Sequence, residues 1–185
     1  QSYVAGSGAP GDGANSVAAG DLNGDGVVDL VVGSSRDTSL SVFLGLGDGR
    51  LNTGTRYNDG REHWRVALAD LDGDGKLDVA SCATELDKIS VHWGNGDGTL
   101  TAPTVINAGE YPSDVLTGDF DADGCLDLVV AAKDDNELTI HWGNGDRTFR
   151  DRTTFASTQQ TGYSYMACAD LDLDGTLDLA VSTWG

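Results

Sequence analysis

This 185-residue sequence predicts an all-β fold of repeated four-stranded antiparallel blades, and three observations carry the prediction. Short Val- and Leu-rich runs are bounded by Gly, Asp and Asn, with 26 Gly and only 3 Pro, as in many short strands joined by tight turns. A nine-residue aspartate segment occurs four times: DLNGDGVVD from Asp21, DLDGDGKLD from Asp70, DFDADGCLD from Asp119 and DLDLDGTLD from Asp170, at intervals of 49, 49 and 51 residues. A second turn recurs in phase with it, as FLGLGDGRL at 43–51, HWGNGDGTL at 92–100 and HWGNGDRTF at 141–149.

The order of elements in one repeat follows from these marks. An apolar segment before each aspartate loop (17–22, 66–71, 115–120, 166–171) gives strand A, and the β-rich run after it gives strand B. Alternating segments such as Leu40-Ser41-Val42-Phe43 and Ile89-Ser90-Val91-His92 give strand C, the Gly-rich turn closes a hairpin, and the residues beyond it give strand D. A meander of about 50 residues cannot bury both faces by itself, whereas such units arranged radially can, which points to β-propeller blades. The units span approximately 14–62, 63–111, 112–162 and 163–185 of one domain, 1–185. The last is incomplete, and Gln1 to Ala5 is read as a strand D of a preceding or closing blade. A longer propeller, two chains completing one ring, and a small ring closed by the N-terminal strand all remain open, the first being favoured.

The aspartate loops have the chemistry of Ca²⁺ sites. Ca²⁺ takes 6–8 oxygen ligands, and a nine-residue loop can supply them from side chains at positions 1, 3, 5 and 9 and a carbonyl at 7, with Gly at 6 for the sharp turn. The ligand sets are Asp21, Asn23, Asp25, the carbonyl of Val27 and Asp29; Asp70, Asp72, Asp74, the carbonyl of Lys76 and Asp78; Asp119, Asp121, Asp123, the carbonyl of Cys125 and Asp127; and Asp170, Asp172, Asp174, the carbonyl of Thr176 and Asp178. Ordinary turn chemistry explains an Asp-Gly pair per repeat but not Asp at position 9 four times, nor carboxylates crowded where they would repel. An EF-hand needs Glu at position 12, where this chain has Val32, Ser81, Val130 and Val181. Four bound Ca²⁺ would offset eight of the 19 net negative charges, and that acidity argues against nucleic acid or an anionic membrane as partner.

The loop and the later Gly-Asn-Gly-Asp-Gly turn resemble the FG-GAP/VCBS repeat family, which builds the integrin α-subunit propeller and many secreted proteins. The resemblance covers essentially the whole chain, though Gly8-Ala9-Pro10 occurs once and the namesake dipeptides do not recur in register. It implies an extracellular or cell-surface recognition or adhesion module for carbohydrate or protein, lectin-like or integrin-like. The alternative it implies is a propeller domain of a secreted polysaccharide lyase or hydrolase; a purely structural spacer is the third reading.

In such propellers ligands sit mostly on the face formed by the D–A and B–C loops. There the richest non-repeated cluster is Tyr57, Arg61, Glu62, His63, Trp64 and Arg65, where an aromatic ring beside charged groups suits a sugar or a protein hot spot. A solvated loop with one packed Trp is the bland alternative. Other candidates are 107–114, 156–165 and the B–C loops 34–39, 83–88 and 132–137. Trp93 and Trp142 recur at the repeat interval and are assigned to packing between blades.

Catalysis finds little support. Half of the 30 acidic residues are committed to the loops, His63, His92 and His141 show no metal-ligand spacing, and no nucleophile motif appears. Cys82, Cys125 and Cys168 imply no pairing. No run reaches the roughly 18 apolar residues of a membrane span, and no signal peptide is evident, so Gln1 is read as following a cleavage site or a cloning boundary.

Overall fold

The computed structural model describes residues 13–156 and 162–183; the expected strand at Gln1 to Ala5 and residues 157–161 of the last D–A loop lie outside them. The first sheet is β1 (Ala14–Gly20), β2 (Asp29–Ser34), β3 (Ser39–Phe43) and β4 (Thr55–Asn58), paired in that order. The second repeats it with β5 (Val66–Ala69), β6 (Asp78–Ala83), β7 (Lys88–His92) and β8 (Thr104–Asn107). The third comprises β9 (Pro112–Gly118), β10 (Asp127–Ala132), β11 (Glu137–His141) and β12 (Thr153–Ala156), and the fourth pairs β13 (Tyr163–Ala169) with β14 (Asp178–Thr183). All pairings are antiparallel, and the described residues contain no α-helix beyond a single 3-10 turn, Thr84–Leu86. These are the blades of a β-propeller, with the A strands β1, β5, β9 and β13 packed in succession along the inner side.

The two-residue period of the strands divides each sheet between two cores. In β6, Ala80 and Cys82 face the third blade while Val79 faces the first; in β10, Leu128 and Val130 face the second blade while Val129 and Ala131 face the fourth. Middle strands are therefore buried on both faces, and their sequences read as continuous apolar or small-residue runs. The Gly-rich turn is closed by isolated bridges, Gly45 to Leu51, Gly94 to Leu100 and Gly143 to Phe149, so strand D begins only four residues after each bridge.

Glycine at the start of that turn is required by space. A Cβ on Gly94 would sit 2.2 Å from the carbonyl oxygen of Leu77, and one on Gly143 would sit 2.1 Å from that of Leu126. The turn thus lies directly on the aspartate loop of its own blade, at the end of the molecule opposite the B–C and D–A loops.

Candidate functional site

The four aspartate loops share one hydrogen-bond plan. The position-1 carboxylate accepts the N–H of the position-6 glycine: Gly26 to Asp21 at 2.8 Å, Gly75 to Asp70 at 2.9 Å, Gly124 to Asp119 at 2.9 Å and Gly175 to Asp170 at 3.0 Å. The position-5 carboxylates of Asp25, Asp74, Asp123 and Asp174 accept the N–H of position 7. The position-9 carboxylate accepts the N–H of position 2 at 2.9 Å in every loop, from Leu22, Leu71, Phe120 and Leu171. Its other oxygen, in the three complete blades, accepts the N–H of Gly45, Gly94 or Gly143 at 2.8 Å. Asp29, Asp78 and Asp127 therefore clamp the A–B loop to the C–D turn, a second duty that position alone did not reveal. The recurrence of Gly in phase was the available signal.

The backbone is wound for this. The position-6 glycines have φ between 80° and 93°, and position 4 is left-handed as well, with Ala122 and Leu173 there in the third and fourth loops. Carboxylate oxygens of Asp70, Asp72 and Asp78, of Asp119, Asp121 and Asp127, and of Asp170, Asp172 and Asp178 lie within 4.8 Å of one another in each set. In the first loop Asn23 replaces one of these carboxylates and offers an amide oxygen instead. Burial, together with the charges of Asp72 and Asp74, pushes Asp78 up to about 6 against the hydrogen bonds from Gly94 and Leu71; burial also raises Asp127. Asp70 Oδ1 is buried without a hydrogen-bond partner. An oxygen-only set of crowded carboxylates with an unsatisfied buried oxygen fits a hard divalent cation such as Ca²⁺. Side-chain cations lie at the same loops: Arg147, from the third blade's turn, reaches Asp72 and Asp74 of the second, and Arg150 reaches Asp121 and Asp123.

At the other end, the structure divides the six-residue cluster into four groups. Tyr57 and His63 turn inward between the first two blades, where the Tyr57 hydroxyl accepts the N–H of Leu100 at 2.9 Å and His63 is 0% exposed. Arg61 folds back on Asp59. Glu62 and Trp64 stay together at the surface: Glu62 Oε2 accepts the Trp64 indole N–H and the Glu85 backbone N–H, each at 3.1 Å, which ties the D–A loop to the 3-10 turn and holds the ring, 37% exposed. Arg65 reaches across the A strands of the next blades instead, 3.8 Å from Asp114 Oδ1 on β9 and 4.6 Å over the Tyr165 ring on β13. Tyr111, partly exposed on the next D–A loop, is held by Asp87 through its N–H and lies under Lys133. Trp93 is buried in the core between the second and third blades, and Trp142 is half-buried beside the fourth.

Of the partners of these residues, Asp59, Glu85 and Asp114 lie within loops the sequence offered as candidates without being named individually, and Ser81 lies outside those loops. Asp59 stands in the same stretch as His63, at a repeat position that Ala108 occupies one blade later.

No curated protein matches this sequence. Among solved structures, a lectin of Agrocybe aegerita, described as recognising non-reducing terminal N-acetylglucosamine, is similar with a TM-score of 0.55 and 22% identity over 77% of this chain. The chain spans 38% of that lectin's length. The likeness supports the fold. A profile of FG-GAP-like repeats matches residues 21–81, 70–130 and 119–181, each match running from one aspartate loop through the next, and with these matches spanning most of its length the chain belongs to the FG-GAP-like repeat family.

Proposed function

We propose that this chain is a calcium-loaded, non-catalytic recognition module that binds carbohydrate on the face carrying its D–A and B–C loops. The observation that carries the ligand side is the fixed, part-exposed Trp64 with Glu62 beside it. A ring face flanked by a carboxylate acceptor matches the apolar face and hydroxyls of a pyranose. The similar lectin's stated preference for terminal N-acetylglucosamine favours that sugar as the first probe. Support for calcium comes from the hydrogen-bond plan shared by the four loops and from the raised Asp78 and Asp127, which a bound dication would relieve. Extracellular calcium would fill even weak oxygen-ligand sites, which supports reading the module as one that works outside the cell or at its surface.

The test is a glycan array in excess calcium, repeated with Trp64→Ala. Binding to terminal N-acetylglucosamine or a related sugar, lost in the variant while the melting curve is unchanged, is expected. Absence of any glycan binding by the intact chain, or equal binding by the variant, overturns the proposal.

A further inference from the structure

We infer that Asp59, His63 and His92 form a second kind of metal site, for a divalent transition ion of the zinc class, buried between the first and second blades. Asp59 and His63 lie four residues apart on the loop between β4 and β5, and His92 ends β7, so a D–A loop of the first interface meets a strand of the second blade. His63 Nε2 is 3.1 Å from Asp59 Oδ1, His92 Nε2 is 3.6 Å from Asp59 Oδ2, and one donor atom from each residue lies within 4.8 Å of the others. Zinc held at about 2.0–2.1 Å by tetrahedral ligands sets neighbouring donor atoms roughly 3.3 Å apart. The spacing is nearly in place.

The hydrogen bonds of the rings assign the lone pairs. His92 Nδ1 is 3.0 Å from the Thr101 carbonyl, which can only accept, so Nδ1 carries the proton. In the neutral ring Nε2 is then a bare lone pair. It is buried, has no hydrogen-bond partner, and faces a carboxylate oxygen that is also an acceptor. With His92 1% exposed and the Asp59 side chain 11% exposed, two acceptors facing each other call for a proton or a metal cation between them, and a metal is the one that also uses His63 Nε2. His63 is prepared likewise: its Nδ1 is 2.8 Å from Ser81 Oγ, which in turn donates to the Ser90 carbonyl, leaving Nε2 for a metal. Such outer partners fix the orientation and tautomer of metal-binding histidines.

Two nitrogens and one carboxylate oxygen make a donor set for zinc-class ions, which separates this site from the oxygen-only loops. Arg61, 3.4 Å from Asp59 Oδ2 and 29% exposed at the side chain, is the competing cation and has solvent beside it to move into when an ion binds. The scaffold does not require the cluster. At the equivalent place between the second and third blades, Ala108 and Pro112 replace Asp59 and His63, and His141 stands alone.

The experiment uses the untagged chain, stripped with chelator, returned to excess calcium, and titrated with Co²⁺ as a spectroscopic substitute for zinc. The intense visible bands of low-coordinate Co²⁺ should grow to one equivalent per chain and vanish on adding Zn²⁺. Two strongly shifted exchangeable imidazole protons should appear in the proton NMR spectrum of the same wild-type sample. Asp59→Asn and His92→Gln should weaken binding at least about a hundredfold, beyond what loss of an outer partner costs, whereas His141→Gln should bind as wild type. A wild-type chain that shows only the faint aquo-ion spectrum, or lacks the shifted imidazole protons, overturns the inference, and so does undiminished binding by a folded Asp59→Asn.

Discussion

The interface between the first and second blades and the one between the second and third share a backbone plan and differ in what fills it. Across the first, blade two presents Val79, Ser81, Ser90 and His92 to a loop carrying Asp59 and His63. Across the second, blade three presents Leu128, Val130, Thr139 and His141 to Ala108 and Pro112. His92 thus has Asp59 and His63 near it, the rings of the two histidines 5.9 Å apart, while His141 is 3% exposed with Nε2 unpartnered. The same residue at the same repeat position becomes part of a polar cluster in one interface and an isolated buried base in the other. Repeated residues build the scaffold; departures from the repeat decide what each interface can do.

The most severe challenge to this comparison is chelation of the calcium proposed for the aspartate loops, because both interfaces rest on loops of the same design. Chelation is expected to lower the melting temperature by about 10 °C or more, since a ligand bound only to the folded state stabilises it by mass action. Hydrogen exchange should show loss of protection in β6 and β10 together. An unchanged melting temperature would remove calcium from the structure's foundations.

A sharper test lies in pH. Burial, with the charge of Arg152 as the lesser cause, lowers His141 from 6.5 to about 4. Its neutral form is favoured in the fold, so its contribution is complete above pH 6.5 and is lost as pH falls towards 4. By linkage, that loss amounts to about 3 kcal/mol by pH 4. Denaturant titrations of the wild type and His141→Leu should diverge over this window, the variant losing less stability. Parallel curves would mean that His141 is no more isolated than His92, and the contrast between the interfaces would fail.

The smallest effect probes what the two interfaces share. Gly94→Ala and Gly143→Ala each drive a Cβ onto a loop carbonyl and should cost about 2 kcal/mol apiece, alike in both blades. Gly73→Ala has nothing within 4 Å of its Cβ and a φ of 71°, so its cost is conformational, about 1 kcal/mol. A marked difference between Gly94→Ala and Gly143→Ala would show that the blades are not equivalent even at their turns.

Much of this is legible in the sequence. The 49-residue interval, the four aspartate loops and the two-residue alternation of β3 and β7 give the sheets and their strand order, because turn chemistry and strand periodicity act over a few residues. The exposed pair Glu62 and Trp64 was inside the cluster singled out from the sequence. Its other members separated: alternation along a strand and a tight turn at Asp59 send Tyr57 and His63 inward, while Arg65 reaches across to Asp114 on β9.

The sequence by itself determined what is local and periodic: the blade, its strand order and the chemistry of each aspartate loop, since each is set by contacts within one repeat. Only the tertiary structure decided that Gly94 must lack a side chain, that Arg147 reaches across to Asp72, and that Asp59, His63 and His92 meet. Those facts depend on how neighbouring blades and turns pack. A side chain's partner there is chosen by the sheet that lies against it rather than by the residues on either side of it in the chain.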